Sequence, residues 1–331
     1  RSEGARRMER RSLWVVTDDI RDELPEDLDP TGFVGPYQFP DNSRRRWPGA
    51  IYLVVAAGCV AAWFVGTDSP IVNGGLLVAA AVLFLINALR GVRLRPTGFE
   101  WVVLIVTGLL LWVGGNGAVV WAEQRVDSGL AALIVGTMPI WVATMESLID
   151  RRPPTALLMG SLCVGFAGLV VLTRPLLADG VSGDALGIAA VVFAAISWGL
   201  GSIILNRRPM TLDLLAVSAW QHVVGFGGFA MLASAVGEGR PSPTPEGWGA
   251  WAYLVVFGSL LAFSCFVYAA KVLPTTVLMT YAYVNPAIAV ILGWLILSEP
   301  VTGHTLAGMV LIIAGVIGVF RDKSRRSIAT P

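Results

Sequence analysis

Ten long stretches of this sequence contain no lysine or arginine, and each is about as long as a helix that crosses a lipid bilayer. Such a helix needs about 20 apolar residues to cross about 30 Å of hydrocarbon. The stretches are 49–67, 71–89, 101–122, 129–149, 155–173, 185–205, 212–236, 248–270, 275–297 and 303–320. The pattern predicts an all-α polytopic membrane protein with ten transmembrane helices.

Composition excludes several other classes of protein. Of the 331 residues, 55% are hydrophobic and only 14% are charged, whereas about a quarter are charged in soluble domains. The net charge of +1 offers no basic surface for nucleic acid, so we expect no nucleic-acid partner. Two histidines and three cysteines are few for a metal enzyme or a disulfide scaffold. We therefore expect no cofactor and no metal.

The connections between stretches predict the orientation in the membrane. One set of alternate connections, with the residues flanking the first and last stretches, carries 15 lysines and arginines; the other set carries three. Basic residues next to a membrane stay on the cytoplasmic side. An even number of helices also places both termini on one side. We expect a bacterial inner-membrane protein with both termini in the cytoplasm.

The two ends of the chain have a different composition. Residues 1–47 contain nine arginines and ten acidic residues, seven of them between Asp18 and Asp29. Such segments bury too little apolar surface to fold alone. The sequence predicts a disordered cytoplasmic tail at 1–47 and a second tail at 322–331.

The apolar part of the chain contains an internal repeat. Residues 101–111 (WVVLIVTGLLL) align with 251–261 (WAYLVVFGSLL), and Ala167-Gly168 aligns with Ala314-Gly315. Five helices separate the copies, and because five is odd, the second copy is predicted to be inverted. The predicted halves are 48–176 and 185–321. Inverted repeats place a substrate site between the halves, near the middle of the bilayer.

Several motifs resemble one transporter family. They are GNGAVVWAEQRVDSGLAALIVGTMP (115–139), AISWGLGSI (195–203), SAWQHVVG (218–225), TYAYVNPAIAVILGW (280–294) and LSEP (297–300). They are similar, in order, to the EamA family of the drug/metabolite transporter superfamily, over about 95–321. The resemblance implies a ten-helix carrier that exports amino acids, metabolites or drugs, commonly with proton coupling. The expected partners are a small organic solute and the lipid bilayer, and a homodimer is left open.

The first two stretches depart from the family pattern. The first has only Trp63, Gly66 and Thr67 where the family has a Trp-Gly-Ser run, and 71–89 lacks the family's arginine. One hypothesis is that this pair of helices came from another membrane protein.

Polar groups at membrane depth are costly and therefore functional candidates. His222 is the candidate that titrates near neutrality, so we predict a solute contact and a proton-coupling role for it; a neutral histidine bonded to a carbonyl is the other interpretation. The remaining predicted solute contacts are Gln221, Asn285, Tyr281, Tyr283, Trp198, Ser202 and Asn116.

Three further residues are predicted to act in gating or coupling. Pro139 and Pro286 each free a helix carbonyl and so favour a broken helix that lines the site. Glu123, at the outer end of its stretch, is either a gate or an interfacial carboxylate near Arg125. Glu146, one turn inside the cytoplasmic end, is expected to reach the lipid headgroups.

The sequence predicts a secondary transporter that moves small organic solutes outward by alternating access, driven by the proton gradient. Two alternatives stay open at this point. A membrane-embedded enzyme would need a cluster of ionisable residues around one cavity. A transport-inactive partner protein would result if a replaced first helix pair had closed the cavity.

Overall fold

The computed structural model describes residues 71–178, 183–236, 245–297 and 301–329, which form nine long helices. They are α1 (Ile71–Leu89), α2 (Gly98–Ala122), α3 (Ser128–Asp150), α4 (Ala156–Ala178), α5 (Ala185–Arg207), α6 (Leu214–Val236), α7 (Gly247–Val272), α8 (Thr275–Leu278 followed by Tyr281–Leu297) and α9 (Gly303–Ala329). Eight of them, α2 to α9, are long and apolar enough to span a membrane. The predicted stretch 49–67 and the tail at 1–47 lie outside the described residues, so ten helices remain a prediction.

Threonine side chains set the starts of three helices. Thr97 and Glu100 form a capping box, in which each side chain accepts a hydrogen bond from the other residue's backbone N–H, so α2 begins at Gly98. Thr155 accepts from the backbone N–H of Leu158 at the start of α4. Thr302, its partner in the predicted repeat, accepts from Thr305 at the start of α9. At the other end, α9 continues to Ala329 through most of the predicted tail.

Four helices depart from regular α geometry. Leu109–Gly117 in α2 and Leu254–Phe263 in α7 are π-helical, and these segments overlap in the repeat alignment. α3 is interrupted between Val135 and Met138, directly before Pro139, which has no N–H to donate. α8 runs through Pro286 and is interrupted at residues 279–280 instead. The sequence predicted a break at Pro286, but the observed interruption lies more than one helical turn before this proline.

The buried side chains form two main apolar cores. The first core is built largely from α2, α5, α6 and α7, and the second mainly from α4 and α9. Neighbouring residues of α3 split between them: Val142 lies in the first core and Ala143 in the second. In α8, Tyr281 lies in the first core and Tyr283 in the second. We call α3 and α8 the shared helices.

The arginine-rich connections meet at one end of the helix bundle, which we call the charge-rich end. There Arg90 pairs with Asp213 at 3.1 Å, and Arg207 pairs with Asp150 at 2.5 Å. At the opposite end Arg125 lies 3.9 Å from Asp184. The predicted grouping of connections is confirmed by these contacts, while the assignment of the charge-rich end to the cytoplasm stays a prediction.

Candidate functional site

Two adjacent polar residues of α6 are completely buried in the first core. Gln221 and His222 have no exposed surface. His222 is eight residues beyond Leu214, so it lies about 12 Å along the helix from the charge-rich end. The amide nitrogen of Gln221 donates a 2.8 Å hydrogen bond to the hydroxyl of Thr107 in α2. A polar contact between side chains therefore joins α2 and α6 at membrane depth.

The imidazole of His222 keeps one nitrogen available to a ligand. Its Nδ1 lies 2.7 Å from the carbonyl oxygen of Ser218, and because a carbonyl only accepts, Nδ1 carries the proton. In the neutral ring Nε2 is then an acceptor. Among the described residues, neither His222 Nε2 nor the Oε1 of Gln221 has a hydrogen-bond partner, although both atoms are buried. Buried polar atoms are rarely left unpaired, so these two acceptors are candidate contacts for a solute.

Aromatic rings surround His222 on two sides. The rings of Trp112 in α2 and Phe263 in α7 each lie 4.9 Å from the imidazole, centroid to centroid. Those two rings also contact each other at 4.7 Å. We call Thr107, Trp112, Gln221, His222 and Phe263 the His222 cluster.

The aromatic contacts continue from this cluster towards α5 and α8. Phe266 stacks on Phe263 at 5.9 Å and lies 5.2 Å from Trp198 and 6.2 Å from Tyr281. The predicted site residues Trp198 and Tyr281 are thus connected to His222 through two phenylalanines. Sequence reasoning missed both, although their spacing of three residues places them on one face of α7.

Tyr283 does not join this group. Its ring lies in the second core, and its hydroxyl donates to the carbonyl oxygen of Leu162 in α4 at 3.2 Å. Two residues along a helix differ by about 200° in direction, so Tyr281 and Tyr283 point into different cores. Tyr283 therefore lies apart from the core that contains Tyr281, and a solute contact of either tyrosine stays a prediction.

Two other predicted polar residues lie in α5 and α8. The hydroxyl of Ser202 donates to the carbonyl of Trp198 in its own helix, at 2.7 Å. Asn285 is buried in α8, one turn beyond Tyr281. Their part in solute contact stays a prediction.

The π segment of α2 packs closely against α5. Gly114 lies against the side chain of Ser197, whose hydroxyl donates to the carbonyl of Leu110 at 2.8 Å. A Cβ at Gly115 would lie 2.6 Å from the ring of Trp198. These contacts support close helix packing as the role of the glycines. Asn116 lies in the same segment, and its buried Nδ2 has no partner among the described residues.

The two glutamates near helix ends have different surroundings. Glu123 follows α2 at the opposite end, where the protein atoms around its partly exposed side chain raise the pKa of its carboxyl. Arg125 pairs with Asp184 and lies over the ring of Trp121 at 4.3 Å. Glu146 accepts a hydrogen bond from Thr276 and lies 3.7 Å from Lys323. The predicted reach of Glu146 to the headgroups is corrected by these contacts with protein.

No fixed charge lies near the His222 cluster along the helices that form it. In α2, α6 and α7 the only charged residues are Glu100 and Lys271, both close to the charge-rich end. The side chain of this cluster that is able to take up a proton is His222 itself. The arrangement can therefore bind an uncharged group by stacking and hydrogen bonding, and it can carry at most one proton on the imidazole.

Comparison with known proteins identifies relatives over most of the chain. The model of the EamA-like transporter family matches twice, at residues 47–174 and 185–321. The inner membrane transporter YedA of Escherichia coli is 30% identical over 274 residues, which cover 81% of this chain and 84% of YedA. The transporter YoaV of Bacillus subtilis is 27% identical over 268 residues, which cover 78% of this chain and 90% of YoaV. Protein PecM of Dickeya dadantii is 24% identical over 262 residues, which cover 77% of this chain and 84% of PecM.

The fold also resembles a solved protein. One crystal structure superposes with a TM-score of 0.71 at 19% identity, covering 86% of this chain and 98% of that one. The first family match begins at residue 47 and includes stretches 49–67 and 71–89. The hypothesis that this first pair came from another membrane protein is corrected by that match.

Proposed function

This chain belongs to the EamA-like transporter family, and from that membership we propose that it exports small organic solutes by proton-coupled alternating access. Relatives named as transporters cover most of its length, which makes an enzyme the less fitting class. The observation that carries the proposal is the His222 cluster, with two unpaired buried acceptors beside aromatic rings inside the membrane-spanning bundle.

Alternating access requires two halves that can rock against each other, and the contact between α4 and α9 supports an inverted repeat. A Cβ at Gly168 would lie 2.7 Å from the backbone nitrogen of Ile312, and a Cβ at Gly315 would lie 2.5 Å from that of Gly165. The alignment that pairs Gly168 with Gly315 also pairs Gly165 with Ile312. The same contact is made twice with the roles exchanged, as a two-fold axis requires.

The direction of these two helices fits the same axis. α4 begins and α9 ends at the charge-rich end, where the hydroxyl of Thr155 donates to the carboxylate of Asp322. An axis in the membrane plane relates antiparallel helices in this way, and it places a shared site between the halves.

The lack of fixed charge narrows the class of solute. A net charge moved into the bundle would lose its hydration without meeting a counter-ion, which costs several kcal/mol or more. We therefore propose solutes without net charge, a class that includes zwitterions, that present a hydrogen-bond donor to His222 Nε2 and a flat or apolar face to Trp112 and Phe263. Phosphorylated metabolites and dicarboxylates fall outside this class.

Proton-driven accumulation in liposomes tests the coupling. Purified protein in vesicles with an acidic lumen is given labelled amino acids, nucleosides and sugars, one at a time. We expect one class to accumulate above its external concentration, and a protonophore to abolish this accumulation. Equilibration to equal concentrations with and without the gradient would contradict proton coupling while leaving a carrier in place.

A further inference from the structure

The second half of α3 is a separate helical segment held between the two cores. It comprises Met138–Asp150 and follows the interruption at residues 136–137. Pro139 cannot donate to the carbonyl of Val135, so the two pieces of α3 are not joined by that helical hydrogen bond. Gly136 lies directly against the side chain of Leu169 in α4, so the chain just before the segment packs on the second core. The segment therefore has a pivot at its start.

The last turn of this segment is held by charged groups from both sides. Asp150 accepts two hydrogen bonds from the guanidinium of Arg207, at 2.5 and 2.8 Å, and Arg207 ends α5 of the first core. One turn earlier, Glu146 lies 3.7 Å from Lys323 of α9, which belongs to the second core. Glu146 also accepts from Thr276 at the start of α8. In the predicted repeat, the contacts of Asp150 with Arg207 and of Glu146 with Thr276 join the first half to the second. Lys323 lies two residues beyond the second half, in the same helix α9.

The two pairs differ in exposure: the side chains of Glu146 and Lys323 are 14% and 24% exposed, whereas the Asp150–Arg207 pair is more open to water. The side chains of Arg207 and Asp150 are 33% and 44% exposed, so water replaces their contact at little cost. A second link between the halves is different. Glu100 is 3% exposed and accepts from Arg93 and from the backbone N–H groups of Thr211 and Leu212. Separating that buried carboxylate from its partners is far more costly, so it is suited to a fixed anchor.

We propose that Met138–Asp150 is the gate at the charge-rich end, pivoting at residues 136–137 and latched by Asp150–Arg207 and Glu146–Lys323. The inference rests on the transporter function proposed above. In the described conformation the latch is closed, and solute entry from the charge-rich side requires it to open. The anchor at Glu100 keeps α2 and the start of α6 together during this movement.

Distances between spin labels in liposomes test the gate without any substrate. The labels are placed on cysteines at Leu148, on the exposed side of the segment, and at Arg95, before α2, after Cys59, Cys163 and Cys265 are changed to alanine. We expect one dominant distance in the otherwise unchanged protein. Arg207→Gln with Lys323→Gln is expected to add a longer distance as a second major population.

Two further variants separate the latch from a general loss of charge. The exchange Asp150→Arg with Arg207→Asp restores a pair of opposite charges and is expected to return the short distance. Arg151→Gln removes a neighbouring exposed positive charge and is expected to change nothing. If the variant Arg207→Gln with Lys323→Gln does not fold, Asp150→Asn removes the partner of Arg207 instead. This variant is also expected to add the longer distance.

An unchanged distance distribution in the latch variants would overturn the proposal. Because the measurement needs no solute, this result is distinguishable from failure of the transporter function. If the protein transports a solute but the distance distribution stays unchanged, the gate lies elsewhere in the protein. If the distance changes but no solute is transported, the gate proposal is supported and the transporter function is contradicted.

Discussion

The amide nitrogen of Gln221 in α6 donates to the hydroxyl of Thr107 in α2, at 2.8 Å and completely out of contact with solvent. Thr107→Val keeps the shape of the side chain and removes the acceptor. The buried amide is then left unsatisfied, which we expect to cost about 1–3 kcal/mol of stability. Thermal unfolding of the purified protein in detergent measures the change.

Two companion variants make this prediction specific. Thr107→Ser keeps the hydroxyl and is expected to retain most of the stability. Replacing both partners, with Thr107→Val and Gln221→Leu together, is expected to cost less than Thr107→Val alone, because no polar group stays unpaired. Equal losses in the single and double variants would show that the hydrogen bond contributes little.

Removing the nitrogen atoms of His222 is expected to abolish proton-driven accumulation and to weaken solute binding, while the fold survives. His222→Phe keeps an aromatic ring between Trp112 and Phe263 but offers neither an acceptor nor a proton site. Loss of one hydrogen bond of about 1.4 kcal/mol lowers affinity about tenfold, and loss of the proton site removes coupling as well. Uptake into liposomes measures the effect.

The second histidine of the chain supplies the matched control. His304 is exposed at the start of α9, and His304→Phe is expected to transport normally. Full transport by His222→Phe would show that His222 is a structural residue bonded to Ser218.

The contact between α4 and α9 leaves no space for a side chain at Gly168. Gly168→Val would place atoms against the backbone of Ile312 and Gly308, which cannot move aside without separating the helices. Overpacking of this kind lowers the free energy of unfolding by about 1–3 kcal/mol. We expect a loss in the upper part of this range because the neighbouring atoms belong to the backbone. The unfolding midpoint and the yield of folded protein report it.

Gly160 in the same helix is the control for that substitution. A Cβ there would meet nothing within 4 Å, so Gly160→Val is expected to be tolerated. Similar losses in both variants would mean that valine is harmful along α4 in general and that the close crossing is not the cause.

Much of the fold was predictable because charge alone marks the ends of membrane helices. Arg90, Arg151 and Arg208 each stand just beyond a helix that crosses the bundle, and the cost of moving such charges into lipid explains why. The glycines at 114, 115 and 117 were also recognisable as packing positions, since small residues let helix backbones approach.

The site was less predictable because it depends on how each helix is rotated. Tyr281 and Tyr283 are two residues apart, and sequence alone could not show that only Tyr281 faces the His222 cluster. Phe263 and Phe266 have no polar atom that would mark them in the sequence, and their ring contacts depend on how α7 packs against α6. Glu100 was missed because its partners, Thr211 and Leu212, are more than 100 residues away in the chain.

Solute charge provides a direct test of the proposed substrate class. Pairs that differ only by a phosphate, such as a nucleoside and its monophosphate, are compared as competitors of uptake. We expect inhibition by the uncharged member alone, because the phosphate would meet no counter-ion near His222. Stronger inhibition by the phosphorylated member would contradict the assignment of the site.

Counterflow tests whether this protein is a carrier. Liposomes containing the purified protein are preloaded with unlabelled amino acids, nucleosides and sugars, and the uptake of each labelled solute is followed. We expect preloading to accelerate uptake of one class of uncharged or zwitterionic solute. At a low solute concentration, His222→Phe is expected to reduce this acceleration about tenfold, while His304→Phe retains it. If folded protein is present and uptake of every solute is no faster than in protein-free liposomes, the result would contradict a carrier function and favour a transport-inactive membrane partner.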